Sequence, residues 1–341
     1  MSHVSLAQRF ARALLLVASA AVLTLVLQHW VGRATIYSEE FAGKRSALHT
    51  AILKNEPPRG GWHHIGASGD NIRVFAVYLA ESLRWSTALP VTTGYFLIDW
   101  VALFLTFVLL FFYGRRWVSE PYCVIGLLYF GCVTVLTYQL HFFHPWDRLW
   151  LLSWMVLIML VWDHRLVPLA LLLPIAVSVK WDVAVLPALY WLTYVSKANW
   201  RRVTLLTAGL LGVSFGMFGL LITIRPGGFD RHTTIVQQLA LNWQDFAALR
   251  LAYPPLLLFT LPLALAILGL PDADRRVKAS ALFGVLLLVP LALKTNVAEV
   301  RAEMATFVLL LPSALRGLTR ALAPPPSSGN PSGPGSPESG G

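Results

Sequence analysis

Charge is scarce in this sequence: its 27 Lys and Arg and 17 Asp and Glu make up only 13% of 341 residues, against about 25% in soluble domains. That scarcity excludes a large soluble core and leaves a polytopic membrane protein. Cysteine is scarcer still. Cys123 and Cys132 fall in one expected helix; nine residues apart, they stand about 13 Å from each other, too far for a disulfide. Neither has a second metal-ligating residue at a recognised spacing, so both read as small core or lipid-facing residues. No G-x-S-x-G, P-loop, H-E-x-x-H or G-x-G-x-x-G stands in a suitable context. No internal repeat is visible, which tells against a transporter built from paired halves. The first apolar run, Ala13 to Val31, ends without a small-residue cleavage site leading into a soluble domain, so it reads as a retained span.

What the chain has in quantity is apolar: 56% hydrophobic residues, with 13 Trp and 18 Phe. Beyond the first run, apolar stretches at about 93–113, 121–141, 148–162, 166–180, 182–195, 203–224, 253–270, 279–293 and 304–319 bring the expected spans to ten. The expected fold is therefore all-α: one polytopic transmembrane helix bundle over residues 1–322, with an outward loop at 32–92 carrying interfacial helices and a second at 225–252. Residues 71–85 hold Arg73, Glu81 and Arg84, and read as a helix in the interface or inside the bundle rather than as a further span. Residues 323–341 form a Pro/Gly/Ser-rich tail expected to be disordered.

The net charge of +10 is a matter of topology, and no nucleic-acid partner is implied. Arg9/Arg12, Arg115/Arg116, Arg165, Lys197/Arg201/Arg202, Arg275/Arg276/Lys278 and Arg316/Arg320 recur at every second turn. The positive-inside rule places all of them, and both termini, in the cytoplasm.

The opposite turns are mixed in charge. They carry Glu39, Glu40, His63, His64, Asp70 and Arg73; then His141, His144, Asp147 and Arg148; then Lys180 and Asp182; and later Arg225, His232, Glu299, Arg301 and Glu303. Ion pairs that merely fasten turns account for any one of these. Lys180 and Asp182 stand apart, because they interrupt an apolar run from Leu166 to Val195, and each charge costs roughly 2.5–3.5 kcal/mol at a bilayer centre. The chain is expected to surface there. His141 and His144, three apart beside Asp147, could bind a divalent metal or serve a helix-capping, interfacial role; His-x-x-His beside one carboxylate is a weak metal signal, and no cofactor is identified. Asp99, about two turns inside the second span, is an intramembrane acid, either functional or hydrogen-bonded across the bundle.

Four features together resemble the integral-membrane glycosyltransferases of the GT-C superfamily. They are the large first outward loop with acids, Lys180 at the end of a middle span in SVKWDVAVLPALYW, the Leu-Pro that follows, and Glu299-x-Arg301 in AEVRAE. The likeness to members that use polyprenyl-phosphate sugars covers roughly residues 10–320. It implies inverting transfer of a sugar, on the outer side of the membrane, from a lipid-phosphate-linked donor to an acceptor hydroxyl on a glycan, lipid or protein. The catalytic base would be Asp70, or failing that Glu39 or Glu40. Lys180, Arg301 and Arg73 would hold the phosphate, with Asp182, Glu299, His144, Asp147 and Arg148 completing the substrate site. The paired acids of the family's first loop are replaced by Ser38-Glu39-Glu40 and a lone Gly69-Asp70. A non-catalytic membrane subunit of an envelope assembly, and a small-solute or lipid transporter, stand as alternatives.

Overall fold

The computed structural model describes residues 5–33, 46, 49–56, 72–136, 146–225, 234–248, 254–294 and 300–323. These residues form helices joined by turns, with no strand among them. In chain order the helices are α1 (Leu6–Arg33), α2 (Val74–Thr87), α3 (Val91–Gly114), α4 (Glu120–Leu136), α5 (Asp147–Trp162) and α6 (Leu166–Val179). After a 3-10 turn at Trp181–Val185 come α7 (Pro187–Tyr194), α8 (Trp200–Ile224), α9 (Ile235–Ala247), α10 (Pro254–Gly269), α11 (Arg275–Lys294) and α12 (Val300–Ala321).

The all-α expectation holds, and among the described residues three helices are long and apolar enough to cross a membrane: Leu6–His29 within α1, Val91–Gly114 and Trp200–Ile224. The middle helices are shorter. At 1.5 Å per residue, the 14 residues of α6 extend about 21 Å, well short of a hydrocarbon core of about 30 Å. The stretch 182–195, expected as one span, is a 3-10 turn followed by an eight-residue helix. Lys180 is extended (φ −160°, ψ 125°), which ends α6. Pro187 has no N–H to give to Val183, so the next helix restarts at Pro187, in the first position where proline is tolerated.

The core is built around α5, whose Trp150, Trp154, Ile158 and Trp162 are buried against α3 and α6. Tyr113 of α3 stacks on Trp162 at 4.4 Å, and the Trp162 indole donates to Ser280 Oγ of α11 at 3.0 Å. Helix α2 packs one face against α3 and α6, burying Val74, Ala76, Val77 and Ala80 and leaving Tyr78 and Trp85 exposed. Its small residues allow the approach: a Cβ on Gly94 of α3 would meet the Ala80 carbonyl at 3.3 Å.

Polar contacts sort the helix ends into two groups. At one end, Arg116 donates to both oxygens of Asp163 (2.7 and 3.1 Å), and this fork holds the Asp163 carboxyl below the usual range. There too the Tyr194 hydroxyl donates to the Val161 and Trp162 carbonyls, Arg275 caps Val195, and Arg316 and Arg320 bind the turn at Asp272. At the other end, Arg225, which closes α8, donates to the Ile52 carbonyl (2.7 Å), Asn55 Oδ1 (3.0 Å) and the Tyr78 hydroxyl (3.0 Å). Asn55, at φ 57°, takes the left-handed conformation that asparagine tolerates and ends the short helix at 49–53.

Candidate functional site

The first turn of α5 and the break after α6 meet at that second end. Each supplies what the other lacks. Trp146, Asp147, Arg148 and Trp150 come from the start of α5, and Lys180 and Asp182 from the break. Lys180 Nζ stands 3.9 Å from Asp147 Oδ1 and 3.9 Å from Asp182 Oδ2. It also sits 3.9 Å from the centroid of the Trp150 ring, while the indole N–H of Trp150 donates to Asp182 Oδ1 at 2.7 Å. One turn earlier the guanidinium of Arg73, from the start of α2, lies over Trp146 at 4.7 Å. Arg148 donates to Gln28 Oε1 of α1 at 2.7 Å. Asp147, Arg148 and Lys180 are 6%, 3% and 9% exposed, so the cluster lies inside protein.

Both signs of charge meet in this cluster. Among the described residues it holds three cations, Arg73, Arg148 and Lys180, against two carboxylates, Asp147 and Asp182. Cations brought this close together in a poorly hydrated place are the kind of group that receives an anion. At 3.9 Å the ammonium feels both carboxylates but is beyond hydrogen-bond reach. Among the described residues no hydrogen-bond acceptor engages its three donors, a capacity an anionic oxygen could use. The aromatic flanks and low hydration strengthen any such contact.

The structure therefore gathers Arg73, Asp147, Arg148, Lys180 and Asp182 from the expected site. It also corrects one expectation in part: Lys180 does not surface but is buried, with Asp147, Asp182 and the Trp150 ring around its ammonium, whereas Asp182 keeps 17% of its side-chain surface exposed. Asp70, Glu39, Glu40, His144 and Glu299 lie outside the described residues, as do His63, His64 and His141. Arg301 is placed in the first turn of α12, its side chain outside those described. Asp99 is buried in α3. Among the described residues no group of three or more His, Cys, Asp or Glu could hold a metal ion. Sequence reasoning missed the roles of Trp146 and Trp150, although their spacing in PWDRLW, one helical turn apart around Asp147 and Arg148, carried the signal.

A second polar array was not anticipated. His49 is buried, with Nδ1 2.8 Å from the Tyr95 hydroxyl and Nε2 3.0 Å from Glu81 Oε2. The Glu81 carboxylate is gripped by Arg84, which with His49 pulls it down to about 2. An ionised Glu81 only accepts hydrogen bonds. Neutral His49 therefore donates from Nε2 and accepts the Tyr95 proton at Nδ1. Burial pushes His49 down from 6.5 against the opposing pull of Glu81. Both groups bind protons less readily folded than unfolded, so their contribution is complete above the ordinary values and lost as pH falls. Thermal stability is expected to decline as pH drops below about 6.5, and His49→Gln should flatten that first part of the decline. A scan of melting temperature from pH 7.5 to 5 in both proteins checks this, and an unchanged slope in the variant would exclude His49 as the cause.

No protein-family model, no curated protein and no solved structure matches the chain.

Proposed function

We propose that the chain is an integral-membrane glycosyltransferase of GT-C-like architecture, moving a sugar from a lipid-phosphate-linked donor to an acceptor hydroxyl at the outer face of the membrane. The observation that carries this reading is the buried convergence of Lys180, Arg73 and Arg148 with two carboxylates at one end of the bundle. In the same reading the chain crosses a bacterial inner membrane ten times with both termini cytoplasmic. The end tied by Arg116, Arg275, Arg316 and Arg320 then faces the cytoplasm, and the Lys180 cluster faces outward. Because α6 is about 21 Å long, the cluster is recessed below the membrane surface. A phosphate attached to a lipid anchor reaches such a depth.

The chemistry asks three things of the protein. The acceptor oxygen forms its bond to the anomeric carbon as the bond from that carbon to the phosphate oxygen breaks. A carboxylate takes the hydroxyl proton, a role the resemblance gives to Asp70, with Glu39 and Glu40 as alternatives. The departing lipid phosphate gains negative charge, and fixed cations in a water-poor site stabilise it most as that charge develops. Lys180, Arg73 and Arg148 supply those cations, with Arg301 the further candidate. Asp147 and Asp182 keep the cations charged and in place while the site is empty. Purified wild-type protein in nanodiscs is expected to transfer labelled sugar from a polyprenyl-phosphate sugar, and Asp70→Asn to lose at least a hundredfold of that rate. Wild-type protein without transfer, or equal transfer by Asp70→Asn at equal protein level, would overturn the assignment.

A further inference from the structure

The distances around Lys180 raise a question that charge alone does not answer. An ammonium between two carboxylates in a dry interior normally closes onto one of them, at about 2.7–2.9 Å. Here it stands 3.9 Å from each. The group in closest register with both sides of this arrangement is Trp150, itself 1% exposed. Its ring face lies 3.9 Å below the ammonium, where the negative face of the π-system attracts a cation. Its edge, the indole N–H, takes Asp182 Oδ1 at 2.7 Å, so that oxygen is already engaged. One side chain thus satisfies a cation with its face and an anion with its edge.

We propose that Trp150 is a positioning residue of the anion site, holding the Lys180 ammonium on its ring face and Asp182 on its N–H so that the three ammonium donors stay uncommitted until an anionic phosphate oxygen arrives. The proposal rests on the reading of the cluster as a lipid-phosphate site. It separates Trp150 from the other buried tryptophans of α5. Trp154 packs edge-on against Trp150 at 6.5 Å and tilted against Phe283 at 6.4 Å, and Trp162 stacks on Tyr113; no described cation lies over either ring. Trp150 carries information about charge, whereas those two carry packing. Trp146 repeats the face contact one turn away, with the Arg73 guanidinium 4.7 Å from its ring centroid.

Fluorination tests the face without disturbing the fold, because fluorine is close to hydrogen in size and withdraws electron density from the ring. Full-length protein carrying 5-fluoro-, 5,7-difluoro- or 5,6,7-trifluorotryptophan at position 150 is placed in phosphatidylcholine nanodiscs and titrated with a radiolabelled polyprenyl monophosphate. Affinity is expected to fall stepwise with each fluorine, by about tenfold across the series. 2-Naphthylalanine at the same position, which keeps the face and lacks the N–H, should also weaken binding by freeing Asp182 to capture the ammonium. If the wild type binds, Lys180→Ala does not, and the fluorinated series is flat, Trp150 merely fills space and this inference fails while the phosphate site stands. If the wild type itself does not bind the monophosphate, the phosphate site falls, and the inference with it.

Discussion

Lys180→Met is expected to abolish sugar transfer and to cost about 3–5 kcal/mol of stability, the usual consequence of removing one partner from a buried ionic group. The size follows from what remains. Asp147 and Asp182 both face Lys180 Nζ at 3.9 Å, and Asp147, Arg148 and Lys180 are buried. Without the ammonium, two carboxylates face each other across the space it filled, with Arg73 and Arg148 as the neighbouring cations among the described residues, and Arg148 also donates to Gln28. The triple variant Lys180→Met/Asp147→Asn/Asp182→Asn is therefore expected to recover most of the lost stability, since replacing a whole buried ionic group by neutral residues is close to neutral. It should recover none of the transfer. Melting temperature in detergent, read alongside transfer of labelled sugar, gives both quantities from one preparation. A single variant as stable as wild type would show that Lys180 does not counterbalance the carboxylates; a triple variant that still transfers would remove Lys180 from the chemistry.

The parts of this arrangement that lie close together in the chain were legible before any coordinates. Apolar composition specified helices, and the interruption at Lys180 and Asp182 marked the place where an apolar run cannot continue without partners. What the sequence could not show was which partners. Lys180 and Asp147 are 33 positions apart in the chain, and the contact that joins them depends on α6 ending at Val179, a break set by one extended residue. The same holds for His49, whose partners Glu81 and Tyr95 lie 32 and 46 positions away; a lone histidine in a polar loop gives no hint of them. Expecting the chain to surface at Lys180 was a sound inference from transfer energies applied to lipid, but it treated water as the sole alternative to hydrocarbon. Protein is the third solvent, and tryptophan one of its means of accommodating charge. The acids that the resemblance makes catalytic, Asp70, Glu39 and Glu40, lie outside the described residues, so the base rests on the sequence alone.

Glycine shows the same limit of local reading, and it gives the other large expected effect. Gly209, Gly212, Gly216 and Gly219 line α8 at helical spacing and look like a packing seam, yet a Cβ on any of them would meet nothing within 4 Å. Gly269 and Gly317 look like helix-end residues, and they are where two backbones touch. A Cβ on Gly317 would collide with the Leu265 carbonyl, and one on Gly269 with the Ser313 carbonyl and the Gly317 amide. Backbone atoms cannot turn aside as a side chain can, so α10 and α12 would have to separate. Overpacking a core against mobile side chains costs about 1–3 kcal/mol; against two main chains Gly317→Leu is expected to exceed that range, and Gly317→Ala to reach it. The consequence extends to the site, because α12 also packs on α4 and α5. Gly212→Ala supplies the contrast: with open space around it and alanine's better helix propensity, it should be neutral or stabilise by up to about 1 kcal/mol. Fluorescence-detected size exclusion after heating ranks the three variants. If Gly317→Leu survives heating as well as Gly212→Ala does, α10 and α12 are not in backbone contact. Loss of Gly317→Leu alone, with Gly212→Ala at or above wild type, fixes this pair of helices as the closest-packed seam among the described residues.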